Sequence, residues 1–224
     1  MPTVAVLPVK RFVAAKQRLG PVLRGEDRRE LASAMAADVL MALGAVDGLD
    51  DVIVVSAQED VRALAVDTGF AAIDDPLGQG QSPAAGLGVA AAIERGADRA
   101  LLVPGDCPAL HPGEVARLLA ASPRPREVVV VPDRHGTGTN ALLLAPPDVI
   151  APSFGPGSRR RHEALARAAG TALRVEDVPS LGLDVDTADD VLALRSLIAT
   201  GAPSRAPRTR EVLERVVTAG IAVE

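Results

Sequence analysis

Three aspartates hold the spacing best suited to chemistry: Asp106 in Leu101-Leu102-Val103-Pro104-Gly105-Asp106, and Asp184 and Asp186 in Leu181-Gly182-Leu183-Asp184-Val185-Asp186. Each follows an apolar run that reads as a buried strand, which would leave the carboxylates where a sheet ends and a cleft begins. An oxygen-only donor set favours Mg2+ over zinc, and Mg2+ uses one or two carboxylates, several waters and the phosphates of a substrate. Phosphate chemistry is the resulting expectation. The plainer alternative is that Asp184 or Asp186 caps a helix starting near Thr187.

Three further segments carry polar groups suited to anions. Leu7-Pro8-Val9-Lys10-Arg11-Phe12-Val13-Ala14-Ala15-Lys16-Gln17-Arg18-Leu19 follows the first strand and concentrates cations where phosphates bind in doubly wound folds, without the glycine pattern of a P-loop or a dinucleotide site. Asp74-Asp75-Pro76-Leu77-Gly78-Gln79-Gly80-Gln81-Ser82 leads into Pro83-Ala84-Ala85-Gly86-Leu87-Gly88, a small-residue helix start that a ligand ring can approach closely. Asp133-Arg134-His135-Gly136-Thr137-Gly138-Thr139-Asn140 enters a strand, and Ser153-Phe154-Gly155-Pro156-Gly157-Ser158-Arg159-Arg160-Arg161-His162 enters a helix. Ser158 suits an N-cap, yet three arginines follow where the helix dipole disfavours positive charge. An anion held by Ser158, free amides and an arginine would resolve that conflict; a solvated arginine cluster is the alternative.

The elements that must position these groups are legible from periodicity. Apolar runs at 4–7, 52–55, 71–73, 100–103, 128–131 and 141–144 alternate with helical segments at 26–43, 60–68, 83–95, 112–121, 159–169, 187–198 and 210–217. Such alternation predicts an α/β domain, Rossmann-like, with a mainly parallel sheet flanked by helices. The first helix places Leu31, Met35, Val39, Leu40 and Leu43 on one apolar face. A single nucleotide-handling domain over residues 1–200 and an extension over 201–224 are expected, the latter with a short helix packed on the domain or on a second subunit in a homodimer.

Composition narrows the classes. A chain of 224 residues that is 48% hydrophobic can build one large core. Net charge of −5, no Trp, no Tyr and three Phe argue against a nucleic-acid-binding surface. The single cysteine, Cys107, fits a reducing cytoplasm and reads as a small buried hydrophobe; no run approaches a membrane span.

Five ordered motifs, Pro8-Val9-Lys10 with Ala15-Lys16-Gln17-Arg18-Leu19, Gly105-Asp106-Cys107-Pro108-Ala109-Leu110, the segments 133–140 and 154–158, and Asp184-Val185-Asp186-Thr187, resemble the guanylyltransferases of coenzyme F420 biosynthesis. The resemblance runs from about Val4 to Ile198. It implies a fold similar to the nucleotidyltransferases that make molybdopterin guanine dinucleotide, and transfer of GMP from GTP to phosphoenolpyruvate or 2-phospho-L-lactate. By matching motif, Asp106, Asp184 and Asp186 would hold Mg2+, and Thr139, Gly155 and Ser158 would bind the phosphorylated acid. Lys10, Lys16, Arg18, Ser82 and Gly86 would contact the nucleotide, with Lys16 also catalytic. One departure is Gly88, where many relatives have Asn. The rival expectations are a nucleotidyltransferase of the same fold acting on a sugar phosphate or a pterin, and a nucleotide-binding module without turnover.

Overall fold

A computed structural model describes residues 1–9, 19, 23–121, 124–200 and 205–218. Along the chain they form β1 (Thr3–Val9), α1 (Gly25–Gly44), β2 (Asp51–Ser56), α2 (Glu59–Asp67), β3 (Ala71–Asp74), α3 (Gln81–Glu94), β4 (Arg99–Leu102) and α4 (Pro112–Ala120). There follow β5 (Glu127–Pro132), β6 (Thr139–Ala145), α5 (Ser158–Ala168), β7 (Ala172–Val175), α6 (Ala188–Thr200) and α7 (Pro207–Thr218). The strands make one sheet in the order β3-β2-β1-β4-β6-β5-β7, parallel except for β6, which runs antiparallel to β4 and β5. The short link between β5 and β6 permits only that hairpin, whereas parallel neighbours need a helical crossover.

Side chains alternate strictly along the central strands. Ala5, Leu7, Val52, Val54, Val129 and Leu143 enter a core beneath α1, α2 and α4, while Val4, Val6, Ile53, Val55, Val128 and Leu142 enter another beneath α3 and α5. Both faces of the sheet are therefore covered, which is why these strands read as continuous apolar runs. No helix among the described residues is long and apolar enough to cross a membrane.

Three expectations change. First, α1 is apolar on two faces rather than one: Val39, Leu40 and Leu43 join the core under the sheet, but Leu31 and Met35 join a third core with α6 and α7. The terminal helix α7 thus packs on α1 of its own chain, through Val212, Leu213 and Val216, and Asp38 of α1 accepts the Thr209 amide at 2.8 Å. Burial raises the Asp38 pKa, and the bonds from Thr209 and Arg208 pull it back. Second, the segment before Asp184 is no strand; a single 3-10 turn (Pro179–Leu181) gives way to extended coil. Third, β7 was not anticipated from the sequence.

Gly88 has a packing cause. A Cβ there would stand 2.2 Å from Cγ1 of Val6, so only glycine lets α3 lie this close to β1. The position faces the sheet. Gly88→Ala is expected to cost about 1–3 kcal/mol through overpacking, lowering Tm by about 2–4 °C per kcal/mol in a chain of this size. A circular-dichroism melt reads it directly, and an unchanged Tm would mean the helix shifts freely.

Candidate active site

The chain order reverses between β1 and β4, and the crevice beyond the carboxyl ends of such strands is the usual ligand seat in open α/β sheets. Here it opens into a cavity of about 470 Å³. Asp106 enters from the turn after β4, and Asp184 and Asp186 enter from the coil before α6. All three predicted carboxylates line this one space.

Alternation explains how Asp184 and Asp186 get there. Leu183 and Val185 are buried in the third core, so Asp184 between them and Asp186 after them turn the other way, toward the cavity. The segment is then pinned from several sides. The Val185 amide donates to the Asp106 carbonyl at 3.1 Å, and the Arg134 amide donates to the Gly182 carbonyl at 2.8 Å. Asn140 Nδ2 donates to the Leu181 carbonyl at 2.8 Å and to Asp184 Oδ1 at 3.2 Å. Asp190 Oδ2 accepts the amides of Asp186 and Thr187 at 3.0 and 2.7 Å and the Thr187 hydroxyl at 2.8 Å, while its other oxygen pairs with Arg134.

Burial, and then the charges of Asp106 and Asp186, raise the Asp184 pKa above the ordinary carboxylate range, with the Asn140 bond opposing. A divalent cation would relieve that crowding, and the donors are all oxygen. Among the described residues no three Asp, Glu, His or Cys side chains stand close enough together to form a ready-made metal cage. The donor set therefore fits an ion held by one or two carboxylates, waters and substrate phosphates, the habit of Mg2+.

The same cavity is lined by Thr139, Gly155 and Ser158. Ser158 is not the N-cap. That place belongs to Gly157, in a left-handed conformation with φ of 71°, and Ser158 is the first, buried residue of α5. Gly155 also has positive φ, at 104°, so this tight loop depends on two glycines.

The arginines are put to another use than anticipated. No arginine is among the described residues lining the cavity. Arg159 pairs with Glu163 and donates to the Gly136 carbonyl. Arg161 donates to the carbonyls of Ser153, Phe154, Gly155 and Pro156. At the start of α5 the guanidinium groups of Arg159 and Arg161 thus hold the two loops that shape the pocket.

His162, which follows the three arginines at the start of α5, is fully buried. Its Nε2 accepts the Ser153 amide at 2.9 Å, its Nδ1 lies 3.0 Å from Thr139 Oγ1, and its ring meets Phe154 edge-on. Burial, then the Arg161 charge, push its pKa down to about 4, so the ring is neutral at pH 7.

The nucleotide expectations fare unevenly. Gln81 lines the cavity, but Ser82 and Gly86 do not; Ser82 Oγ accepts the Phe154 amide at 2.8 Å, tying the start of α3 to the Ser158 loop. Lys10, Lys16 and Arg18 lie outside the described residues. Cys107 is buried and donates weakly to the Leu181 carbonyl, consistent with a packing role. Asn140, Arg134 and Asp190 were missed as site residues, although Asn140 sits in the quoted motif beside Thr139.

Residues 3–215 match the model of the family described as guanylyl transferase CofC like. The chain belongs to that family. Among its relatives is a phosphoenolpyruvate guanylyltransferase of Conexibacter woesei, 49% identical over 204 residues that cover 89% of this chain and 90% of the relative. A second, from Sphaerobacter thermophilus, is 42% identical and covers 91% and 98%. Among solved structures, a candidate nucleotide-diphospho-sugar transferase from Desulfovibrio desulfuricans G20 superimposes with a TM-score of 0.75 at 17% identity, covering 97% of this chain and 96% of that one. CMP:2-keto-3-deoxy-manno-octonic acid synthetase, solved with CTP, gives 0.61 at 16% identity over 89% and 99%. At such identities these two show the fold alone; the chain is a nucleotidyltransferase by its CofC-like family.

Proposed function

We propose that this chain transfers GMP from GTP to phosphoenolpyruvate with release of pyrophosphate, a step of coenzyme F420 biosynthesis in the cytoplasm. The observation that carries this is one cavity lined both by Asp106, Asp184 and Asp186 and by Thr139, Gly155 and Ser158, in a chain of a guanylyl transferase family. The names of the relatives favour phosphoenolpyruvate as the acid.

In the reaction an oxygen of the phosphate monoester forms a bond to the α-phosphorus of GTP as the bond from that phosphorus to the bridging oxygen of pyrophosphate breaks. A monoester is largely dianionic at neutral pH, its second pKa being about 6, so no general base is needed to make the nucleophile. Thr139 and Ser158 would hold the monoester by their hydroxyl groups, and the loop from Ser153 to Gly157, pinned by Arg161, would fix its direction of approach. One or two of the carboxylates of Asp106, Asp184 and Asp186 would hold Mg2+, with waters and substrate phosphates completing its shell. The ion would supply neutralisation of phosphate charge. Catalysis then rests on alignment and charge stabilisation, without a covalent enzyme intermediate.

Protein mixed with Mg2+, GTP, phosphoenolpyruvate and pyrophosphatase is expected to release phosphate and yield a product whose mass equals acid plus GMP. Release with a sugar phosphate but with neither phosphoenolpyruvate nor 2-phospho-L-lactate would overturn the acid. Ser158→Ala is expected to raise KM for the acid by about tenfold, the worth of a hydrogen bond to a charged group, with KM for GTP nearly unchanged. A change confined to GTP would put the wrong ligand against α5.

A further inference from the structure

We infer that His162 is a positioning residue that frees the Thr139 hydroxyl hydrogen to be donated into the cavity, so that this corner favours a ligand oxygen carrying lone pairs, such as a phosphoryl or carboxylate oxygen. The inference rests on the function proposed above for the ligand's identity, but not for the geometry.

The Ser153 backbone N–H can only donate, so Nε2, 2.9 Å away, must be unprotonated. A neutral imidazole then carries its proton on Nδ1, which points at Thr139 Oγ1 from 3.0 Å. Oγ1 therefore accepts from the ring, and its own hydrogen is left to be donated elsewhere. Thr139 lines the cavity, whereas His162 does not. The ring cannot turn over to present the opposite tautomer without leaving the half-buried Ser153 amide unpaired. Its edge-on contact with Phe154 further resists rotation. A serine or threonine hydroxyl is ordinarily ambidextrous; here one backbone amide, acting through one buried ring, decides which way it serves.

Two substitutions separate the two bonds. His162→Asn places an amide nitrogen near the Nδ1 position, able to donate to Thr139, while His162→Gln places a carbonyl oxygen near Nε2, able to accept from Ser153. His162→Phe removes both and keeps the ring. With folding checked by circular dichroism, His162→Phe is expected to raise KM for phosphoenolpyruvate at least about tenfold and to move KM for GTP less than about twofold. His162→Asn should recover most of the loss, and His162→Gln should not. Recovery by Gln and not by Asn, or equal changes in both KM values, would overturn the inference in favour of a purely structural ring. Nitrogen-15 spectra of the ligand-free wild type provide a readout without turnover: a protonated Nδ1 and a bare Nε2 at pH 7 are expected, and the reverse tautomer would overturn it. Failure of the wild type to transfer GMP would count against the proposed function alone, since the spectrum is indifferent to it.

Discussion

Asp184→Asn is expected to lower guanylyl transfer by about a thousandfold, equivalent to about 4 kcal/mol of lost charge stabilisation, while the protein remains folded. The substitution is nearly isosteric, and an amide oxygen can still accept from Asn140 Nδ2, now 3.2 Å from Oδ1. Its NH2 group then faces the cavity, where a donor repels a cation. Stability should hold or rise, because burial and the neighbouring charges of Asp106 and Asp186 already oppose ionisation of this carboxyl. Two measurements separate the outcomes. Mg2+ should raise the wild-type Tm by mass action and leave that of the variant nearly unmoved. Near-normal turnover together with an intact Mg2+ response would remove Asp184 from the metal site.

Asp190→Ala should be the most damaging change outside the cavity's carboxylate trio. It strands the amides of Asp186 and Thr187, the Thr187 hydroxyl and the Arg134 guanidinium at once. Removing one member of a buried pair typically costs about 3–5 kcal/mol; the Arg134 side chain is one-third exposed, so about 2–4 is expected here. For a chain of this size that is a fall in Tm of roughly 5–15 °C. Activity should fall further than stability explains, because Asp184 and Asp186 lose the bonds that hold their segment, and Asp190→Asn should recover part of both. The pH dependence follows from the sign of the shift. Burial pushes the Asp190 carboxyl up, but the bonds from Thr187 and the Asp186 amide and the Arg134 charge outweigh it, leaving the pKa lowered. Its contribution is accordingly complete above about pH 4, the unfolded value, and fades as pH drops through the lower folded value. A melting temperature within about 2 °C of wild type would show that the loop is held by other means.

The strands of the sheet could be read in the sequence because both faces are buried, so runs such as Val128 to Val131 are apolar throughout. Strand β7 could not: its four residues are half-exposed at the sheet edge and include Arg174, so they lack both a run and an alternation. The antiparallel sense of β6 was hidden too, since direction leaves no mark on composition. In the site, the carboxylates were visible because charged residues next to apolar stretches are conspicuous. What fixes them was not. Asp190 has the appearance of an ordinary acidic residue in a first helical turn, and Asn140 of a polar residue entering a strand; Asn140 owes its role to Leu181 and Asp184, 41 and 44 residues away, and Asp190 to the nearby amides of Asp186 and Thr187 and to Arg134 in the β5–β6 loop. The arginines of α5 misled for a related reason. Most partners of Arg159 and Arg161 are carbonyl oxygens, which every residue possesses and no sequence displays.

The double burial of α1 bears on how the polypeptide must be made. Leu31 and Met35, emerging early from a ribosome, have their covering partners in α6 and α7, encoded more than 150 residues later by the numbering of Leu194, Val212 and Leu213. A nascent chain therefore holds a sticky stripe open through most of its synthesis, and interrupted products ending before Pro207 would present that stripe to one another. Asp38, whose carboxylate receives the first amides of α7, would meanwhile face an oily surface with no donor to meet it.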